Sequence, residues 1–329
     1  MKVYIIAEAG VNHNGSVSMA KELIEIASSC GADAIKFQSF SAENLTTRSA
    51  AKAEYQRTEG NESQFEMLKR LELKEDDYHE ISEFCQSREI SFLSSPFDIK
   101  SLNILQKFNP DFIKVASGEI TNLPLLEKIA EVANKVILST GLSNIEDISK
   151  AIDILSSNGL EKKNLSLLHA NTMYPTPFSD ANLKAINTLR ERFDLNVGYS
   201  DHTSGIEASI AAVAMGASII EKHFTISKKL SGPDHKASLE PLELEALVKS
   251  IRNVELALGT GEKQPTNSEL VNINAVRKSI VAAKKIKKGE LFNIDNITTK
   301  RPGNGISPME WYSVLKTKAK KDYEIDDLI

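Results

Sequence analysis

The sequence contains few cysteines and no long apolar run. Its 329 residues include only two cysteines, Cys30 and Cys85, which both lie in helix-like patterns and so predict reduced core thiols in a cytoplasmic protein rather than a disulfide framework. No window approaches the roughly 20 apolar residues of a membrane span. The apolar run near the start is short and lacks a cleavage-site pattern, so we expect no signal peptide.

Neither sign of charge is in large excess. The 40 Lys and Arg residues against 45 Asp and Glu give a formal net charge of −5, which argues against a protein that binds nucleic acid through global positive charge. Any anionic ligand must therefore be held by a few local cations. With 41% hydrophobic and 26% charged residues, the composition also excludes disordered and collagen-like classes.

Short apolar runs alternate with helix-like segments through the larger, N-terminal part of the chain. The eight runs cover residues 3–9, 34–38, 90–95, 112–116, 136–139, 165–169, 197–200 and 219–224. Continuous apolar runs are typical of parallel strands covered by helices, and eight strand–helix units predict an α/β fold of the (β/α)8 TIM-barrel type. An open doubly wound sheet is the alternative, and the count of eight favours the barrel.

The residue composition changes after residue 258. Residues 259–267 are rich in Gly, Pro and polar side chains, which is typical of a domain boundary. We therefore predict a barrel domain over residues 1–262, a linker over 263–274 and a small domain over 275–329, which is short enough to be helped by docking elsewhere. Residues 41–73 are polar and irregular, and we expect them to form a loop that folds over a site.

Polar residues stand at the ends of the predicted strands. In a barrel these ends converge on the C-terminal rim, where catalytic groups of this fold lie. Packing alone does not explain eight coinciding polar ends, because a buried charge without a partner costs several kcal/mol. The rim residues are Glu8, Lys36, Gln38, Ser95, Lys114, Ser117, Glu119, Ser139, His169, Asn171, Ser200, Asp201, His202, Glu221 and His223.

Two kinds of site follow from these rim residues. Lys36 and Lys114, with nearby serine hydroxyls, suit a phosphate or a carboxylate, although either lysine could instead pair with Glu8 or Glu119. His202 and His223 end adjacent strands, so they could share one divalent ion with open positions for water and substrate. Glu221 is a candidate partner for His223, whereas His13 is expected only to shape the first loop.

The motifs in this order resemble those of the sialic acid synthases. They are IIAEAGVNHNG, KFQSF, LSSPFD, KVASGEITNLP, ILSTG, YPTPF, VGYSDHT, EKHFT and SGPDHKASLEP, followed by KKIKKGELF and TTKRPGNGIS. The resemblance implies a TIM barrel followed by an antifreeze-like (SAF) domain. It also implies the condensation of phosphoenolpyruvate with a 2-acetamido sugar to give a nonulosonic acid and phosphate, a divalent ion (Mn²⁺ or Mg²⁺) and a domain-swapped homodimer.

The resemblance also implies roles for individual residues. The positions that match phosphoenolpyruvate-binding residues are Lys36, Ser95, Lys114, Ser117, Ser139 and Ser200, and those that match metal ligands are His202 and His223. Positions that match sugar-binding residues are Gln38, Asn61, Tyr174 and Arg301, the last donated by the partner subunit, and the proton-transfer candidates are Glu8, Glu119 and Asp234. Thr172 departs from the asparagine that related N-acetylneuraminate synthases carry near the phosphate.

Several motifs are most similar to those of the N,N′-diacetyllegionaminate synthases, which implies 2,4-diacetamido-2,4,6-trideoxymannose as the acceptor. N-acetylneuraminate synthesis from N-acetylmannosamine is the alternative.

Two other classes of protein share some of these sequence features. A metal aldolase or a 3-deoxy-keto-acid synthase would not need the C-terminal domain, and a non-enzymatic carbohydrate-binding or coat protein would not need the ionisable rim. Neither a membrane nor a nucleic-acid partner is expected.

Overall fold

The computed structural model describes residues 2–52 and 62–329. Eight strands of the first unit occur where the apolar runs predict them. They are β1 (Tyr4–Gly10), β2 (Ala34–Ser39), β3 (Ser91–Pro96), β4 (Ile113–Val115), β5 (Val136–Ser139), β6 (Leu165–Ala170), β7 (Asn196–Asp201) and β8 (Ile219–His223). Nearly all of their residues are buried, which is why they read as continuous apolar runs.

The eight strands pair in parallel in the order β3-β2-β1-β8-β7-β6-β5-β4. The two strands at the ends of this order, β3 and β4, lie side by side, so the sheet curves into a near-closed barrel and confirms the predicted fold. Inside the barrel, Ile6, Leu93, Ile137 and Leu168 pack together. Side chains alternate along a strand, so Glu8, which follows Ile6 by two residues, faces the same interior above this apolar layer.

Helices follow the strands and cover the barrel. They are α1 (Val17–Ser29), α2 (Ala42–Leu45), α3 (Gln64–Leu71), α4 (Glu75–Ser87), α5 (Ile99–Gln106), α6 (Leu123–Val132), α7 (Ile145–Ser157), α8 (Ala185–Phe193), α9 (Glu207–Ala214) and α10 (Pro241–Leu258). Local signals fix several starts: the side chains of Ser16 and Asn144 cap α1 and α7, and Pro241 occupies the first turn of α10. None of the helices in the described residues is both long and apolar enough to span a bilayer.

The described parts of the segment over residues 41–73, which are residues 41–52 and 62–73, are more regular than we predicted. They contain α2 and α3, and α3 begins with a capping box between Ser63 and Glu66. Met67 and Leu71 of α3 pack with Val11 and Phe40 in a small cluster separate from the barrel core. Tertiary packing of this kind stabilises a helix too short to form on its own, which explains why composition alone indicated a loop.

A second compact unit covers Thr260–Ile329, and the first ends at Gly259, within the Gly- and Pro-rich break. The second unit contains α11 (Asn267–Leu270), α12 (Ile273–Val276), an antiparallel pair formed by β9 (Ser279–Ala282) and β10 (Ile297–Lys300), and α13 (Trp311–Val314). Its own core includes Ile280, Ile286, Phe292 and Tyr323. The predicted linker over residues 263–274 stays a prediction, and α11 lies within that range.

Candidate active site

Four charged side chains meet in the barrel interior at the rim. Lys36 Nζ lies 2.6 Å from Glu8 Oε2 and 3.8 Å from Glu221 Oε2. Lys114 Nζ lies 3.4 Å from Glu221 Oε1. All four residues are at least 96% buried, and their formal charges cancel. Mutual pairing therefore offsets much of the cost of burial that each charge would carry alone.

Burial and neighbouring charges give the two glutamates different pKa values. Burial raises the pKa of Glu8 to about 7, although Lys36 opposes the shift. Burial would raise the pKa of Glu221 as well, but Lys114 and Lys36 outweigh it and lower that pKa to about 2. Glu221 therefore stays charged at neutral pH, whereas Glu8 is able to hold or release a proton. Such a difference between the pKa values of two carboxyl groups is typical of acid–base sites.

Serine hydroxyls extend the two lysines into a polar surface. Lys36 Nζ donates to Ser95 Oγ at 3.2 Å, and Lys114 Nζ donates to Ser139 Oγ at 2.8 Å. Ser200 Oγ donates to Glu221 Oε1 at 3.0 Å. These groups line one cavity of about 600 Å³, together with Ser117, Glu119, Thr172, Tyr174, Gln38, His202 and His223. The cavity therefore brings together the predicted phosphoenolpyruvate-binding residues, although their roles stay predictions.

The two predicted metal ligands are neighbours in this cavity. The ring centroids of His202 and His223 are 5.4 Å apart. Burial lowers the pKa of His202 to about 4, and burial together with His202 and Lys36 lowers the pKa of His223 well below its usual value. Both rings are therefore neutral at physiological pH, which is the form that binds a metal ion.

The donor set fits a divalent ion with open positions. His202 Nδ1 pairs with the carbonyl oxygen of Asn171, which leaves Nε2 as its donor, and the buried Nδ1 of His223 has no partner in the described residues. The described residues contain no group of three or more His, Cys, Asp or Glu side chains that could bind a metal. Water and substrate would have to complete the coordination, as in catalytic sites.

A buried ion pair holds the strand ends that carry the histidines. Asp201 precedes His202 and Lys222 precedes His223, and their side chains meet with Lys222 Nζ 3.0 Å from Asp201 Oδ2. Asp201 also accepts from the Thr203 amide and hydroxyl and from Ser209 Oγ, at 2.6–2.8 Å. Asp201 was expected only as a strand-end residue, and Lys222 was not identified from the sequence. Alternation along β8 was the available signal, because it turns Lys222 away from the interior.

Glu119 lies in the helical turn that follows β4. Asn122 Nδ2 donates to its Oε2 at 2.6 Å, and partial burial raises its pKa. Next to it, Ser117 Oγ accepts from the amide of Gly141 at 3.0 Å. Glu119 thus lines the cavity as predicted from the motif, while its part in proton transfer stays a prediction.

Asp234 lies at a smaller side pocket that adjoins the main cavity. Its side chain is buried, and burial raises its pKa to about 6. The loop that carries it is held by Asn14, whose Nδ2 donates to the Ser231 carbonyl at 2.9 Å and whose Oδ1 lies 3.4 Å from His235 Nε2. This contact between the first loop and the loop of Asp234 was not predicted from the sequence.

The predicted sugar-binding residues have different outcomes. Gln38 Nε2 donates to Glu8 Oε1 at 3.4 Å, and the Tyr174 ring lies 4.1 Å from that of His202, centroid to centroid. Asn61 lies outside the described residues. Arg301 belongs to the second unit, where its Nε donates to the Val276 carbonyl at 2.9 Å. Its donation to a partner's site stays a prediction.

The departure at Thr172 has a structural counterpart. Thr172 lines the main cavity, whereas the neighbouring Asn171 accepts from the Met173 amide and the Thr176 hydroxyl through its Oδ1. Asn171 therefore holds its own loop together and positions His202 through its carbonyl group. The side-chain oxygen of Asn171 is thus engaged within its own loop.

Comparison with known proteins gives matches along nearly the whole chain. The NeuB family model matches residues 23–263, and the SAF domain model matches residues 277–329. The N,N′-diacetyllegionaminic acid synthase of Campylobacter jejuni is 52% identical over 330 aligned residues, which cover 100% of this chain and 99% of that protein. The enzyme of the same name from Legionella pneumophila is 45% identical, covering 97% and 90% of the two chains.

Solved structures agree with this assignment. The crystal structure of the N-acetylneuraminic acid synthetase from Leptospira borgpetersenii, in complex with citrate, superposes with a TM-score of 0.73 at 37% identity and covers 84% of this chain and 91% of that one. Similarity of this extent covers the barrel and its rim rather than an isolated motif. The chain belongs to the NeuB family and carries a C-terminal SAF domain.

Proposed function

We propose that this protein condenses phosphoenolpyruvate with 2,4-diacetamido-2,4,6-trideoxymannose and water to give N,N′-diacetyllegionaminate and phosphate. The observation that carries the chemistry is the cavity in which two buried lysines and their serine partners lie beside two neutral histidines. The relatives named N,N′-diacetyllegionaminic acid synthase support the choice of sugar. The enzyme is thus a transferase that forms a carbon–carbon bond.

Lys36 and Lys114 have the charge and position to hold the phosphate and carboxylate of phosphoenolpyruvate. Without substrate their charges are balanced by Glu8 and Glu221, so a bound anion adds negative charge to a neutral cluster. The site then favours proton uptake at Glu8, the glutamate whose pKa is about 7. Holding both ends of phosphoenolpyruvate also fixes its methylene carbon for attack, which is a positioning effect.

The bond changes follow from this arrangement. The methylene carbon of phosphoenolpyruvate forms a bond to the aldehyde carbon of the open-chain sugar, whose oxygen takes up a proton. Water adds to the resulting cationic carbon and loses a proton, and phosphate leaves by cleavage of the carbon–oxygen bond. Glu8, Glu119 and Asp234 are the proposed proton-transfer groups, because burial raises the pKa of each.

We propose that His202 and His223 hold the divalent ion, Mn²⁺ or Mg²⁺. When bound there, it would act as a Lewis acid on the sugar aldehyde. The chain supports this role by keeping both imidazoles neutral and by fixing the His202 ring through the Asn171 carbonyl. Tyr174 packs against both rings and restricts their movement.

The assembly and location remain part of the proposal. We propose a domain-swapped homodimer in which the SAF domain supplies Arg301 to the partner's barrel. A planar guanidinium suits the carbonyl oxygen of an acetamido group. The cytoplasm is the proposed compartment, on the basis of the two reduced cysteines.

N-acetylneuraminate synthesis from N-acetylmannosamine is the second candidate, because the solved relative at 37% identity carries the name N-acetylneuraminic acid synthetase. A direct comparison of acceptors separates the two. Purified protein with phosphoenolpyruvate and Mn²⁺ is offered each sugar while phosphate release and product mass are followed, with a no-sugar reaction as control. We expect kcat/KM for the diacetamido sugar to exceed that for N-acetylmannosamine at least roughly tenfold. Equal or reversed values would assign the second function.

A further inference from the structure

The side pocket next to Asp234 has an unusual mixture of walls. Its volume is about 60 Å³, and it shares Gln38, Leu68, Tyr174 and His223 with the main cavity. The remaining lining residues are Val11, Met67, Leu71, Pro233 and Asp234. One part of the pocket is therefore polar, and the other is formed by aliphatic and thioether side chains. An apolar wall inside a site for sugars and anions indicates that an apolar part of the ligand binds there.

The apolar wall is a built feature of the fold. Val11, Met67 and Leu71 are nearly fully buried and belong to a small hydrophobic cluster of their own, against which Leu68 also packs. The first loop and α3 approach so closely that a Cβ on Gly15 would stand 2.5 Å from the Arg70 carbonyl oxygen. The first loop, which carries Val11, therefore packs directly against the backbone of α3.

We propose that this pocket is a subsite for the terminal methyl group, at C6, of the acceptor sugar, an inference that rests on the proposed function. A cavity of about 150 Å³ accepts a six-carbon benzene ring, so about 60 Å³ has room for two or three heavy atoms. A terminal methyl with its neighbouring carbon fits this space. An acetamido group has four heavy atoms and brings an N–H and a carbonyl that would face the apolar wall without partners.

The polar side of the pocket completes the fit. Gln38 and Tyr174 are placed to contact the hydroxyl on the carbon next to the methyl group, because both line the side pocket as well as the main cavity. A sugar with a hydroxymethyl group at its end adds a further hydroxyl, which has to lie against Met67, Leu68 or Leu71. An apolar pocket discriminates against one added hydroxyl by about tenfold to a hundredfold.

Two matched pairs of acceptors test the subsite. The first pair is 2,4-diacetamido-2,4,6-trideoxymannose and its 6-hydroxy form, and the second is 6-deoxy-N-acetylmannosamine and N-acetylmannosamine. Within each pair only C6 differs. We expect kcat/KM to favour the 6-deoxy member about tenfold to a hundredfold, mainly through KM, because a binding contact away from the reacting carbon is made in both ground state and transition state.

Substitutions in the wall should remove this preference. Leu68→Asn keeps the branched shape of the side chain and adds a polar group at a partly exposed position, and Met67→Gln keeps the approximate length and adds a polar group at a buried position. Each should bring the 6-deoxy to 6-hydroxy ratio close to one. Leu142→Asn is the matched control, because Leu142 lines the main cavity but not the side pocket, and its ratio should equal that of the unmodified protein. Circular dichroism checks folding, and Leu68→Asn suffices if Met67→Gln does not fold.

The outcomes distinguish the subsite from the reaction itself. A ratio of one or below in the unmodified protein overturns the subsite, as does an unchanged ratio in folded Leu68→Asn protein. If phosphoenolpyruvate gives phosphate and product with these sugars, the proposed function stands even then. If no acceptor releases phosphate, the proposed function fails and the subsite with it.

Discussion

Lys222 Nζ lies 3.0 Å from Asp201 Oδ2, on the outer side of the two strands whose ends carry His202 and His223. Both charged side chains are at least 99% buried. Lys222 also donates to the Thr203 carbonyl at 2.5 Å, so the pair joins the ends of β7 and β8. The separation of the two histidines is therefore set from behind the sheet.

Breaking this pair should destabilise the protein. Lys222→Met leaves the Asp201 carboxylate buried without its cation, which typically costs about 3–5 kcal/mol. Urea unfolding gives the change in the free energy of unfolding. Lys150→Met on α7 is the control. The ion pair of Lys150 with Glu146 is exposed, so its loss should change the free energy of unfolding little. A Lys222→Met protein as stable as the control would show that the buried pair of Lys222 and Asp201 does not stabilise the fold.

The histidine pair leads to a prediction about metal dependence. His223→Ala should fold normally, because the residue lies on the rim, and should lose activity by orders of magnitude. Binding of Mn²⁺ measured by electron paramagnetic resonance should weaken in the same variant. Full turnover in excess chelator, with the absence of metal verified by elemental analysis, would contradict a metal site at these residues.

Glu8 predicts a pH dependence of stability. Burial raises its pKa to about 7 in the folded protein, above the value near 4.3 of an unfolded glutamate. A raised carboxyl pKa means that the folded protein binds the proton more tightly. This contribution to stability is therefore fully present below the unfolded pKa and is lost as pH rises through about 7.

The comparison of Glu8→Gln with the unmodified protein isolates this contribution. The stability of the variant relative to the unmodified protein should rise between pH 5 and pH 8, in urea unfolding without metal or substrate. Glu127→Gln, at an exposed position of α6, is the control and should show no such trend. A difference between Glu8→Gln and unmodified protein that is constant with pH would show that Glu8 does not titrate in this range.

These sites show what the sequence could and could not predict. Eight buried apolar runs that alternate with helix-like segments predicted the barrel, and with it the convergence of Lys36, Lys114, His202 and His223. The convergence follows from the geometry of the fold, because parallel strands in a barrel place their carboxyl ends on one rim. Pairings between strands distant in the sequence depend on side-chain reach, so Glu8 and Glu119 were the expected partners of the lysines and the pair of Lys114 with Glu221 was not predicted.

Features that depend on tertiary packing were not predicted. The helix α3 is short, and its formation depends on Met67 and Leu71 meeting Val11 and Phe40, so its polar composition indicated a loop. The contact of Asn14 with the loop of Asp234 spans more than 200 residues of chain. Spacing within a motif carries no information about such a contact, which the fold alone creates.

The proposed dimer predicts complementation between inactive chains. Arg301→Ala should raise KM for the sugar strongly and leave KM for phosphoenolpyruvate unchanged, while Lys114→Ala should inactivate its own barrel. A heterodimer of the two variants, purified through two different tags, would contain one intact composite site and should recover activity. Verified heterodimers that stay as inactive as both parent variants would exclude sharing of Arg301 between subunits.

An isotope experiment tests the proposed condensation and the bond that it breaks. Phosphoenolpyruvate carrying ¹⁸O in the bridging carbon–oxygen–phosphorus position is incubated with purified protein, Mn²⁺ and 2,4-diacetamido-2,4,6-trideoxymannose, and both products are examined by mass spectrometry. We expect one nonulosonic acid for each phosphate, with the label in the phosphate. Phosphate release without the sugar product, or label retained in the keto acid, would contradict the proposed condensation.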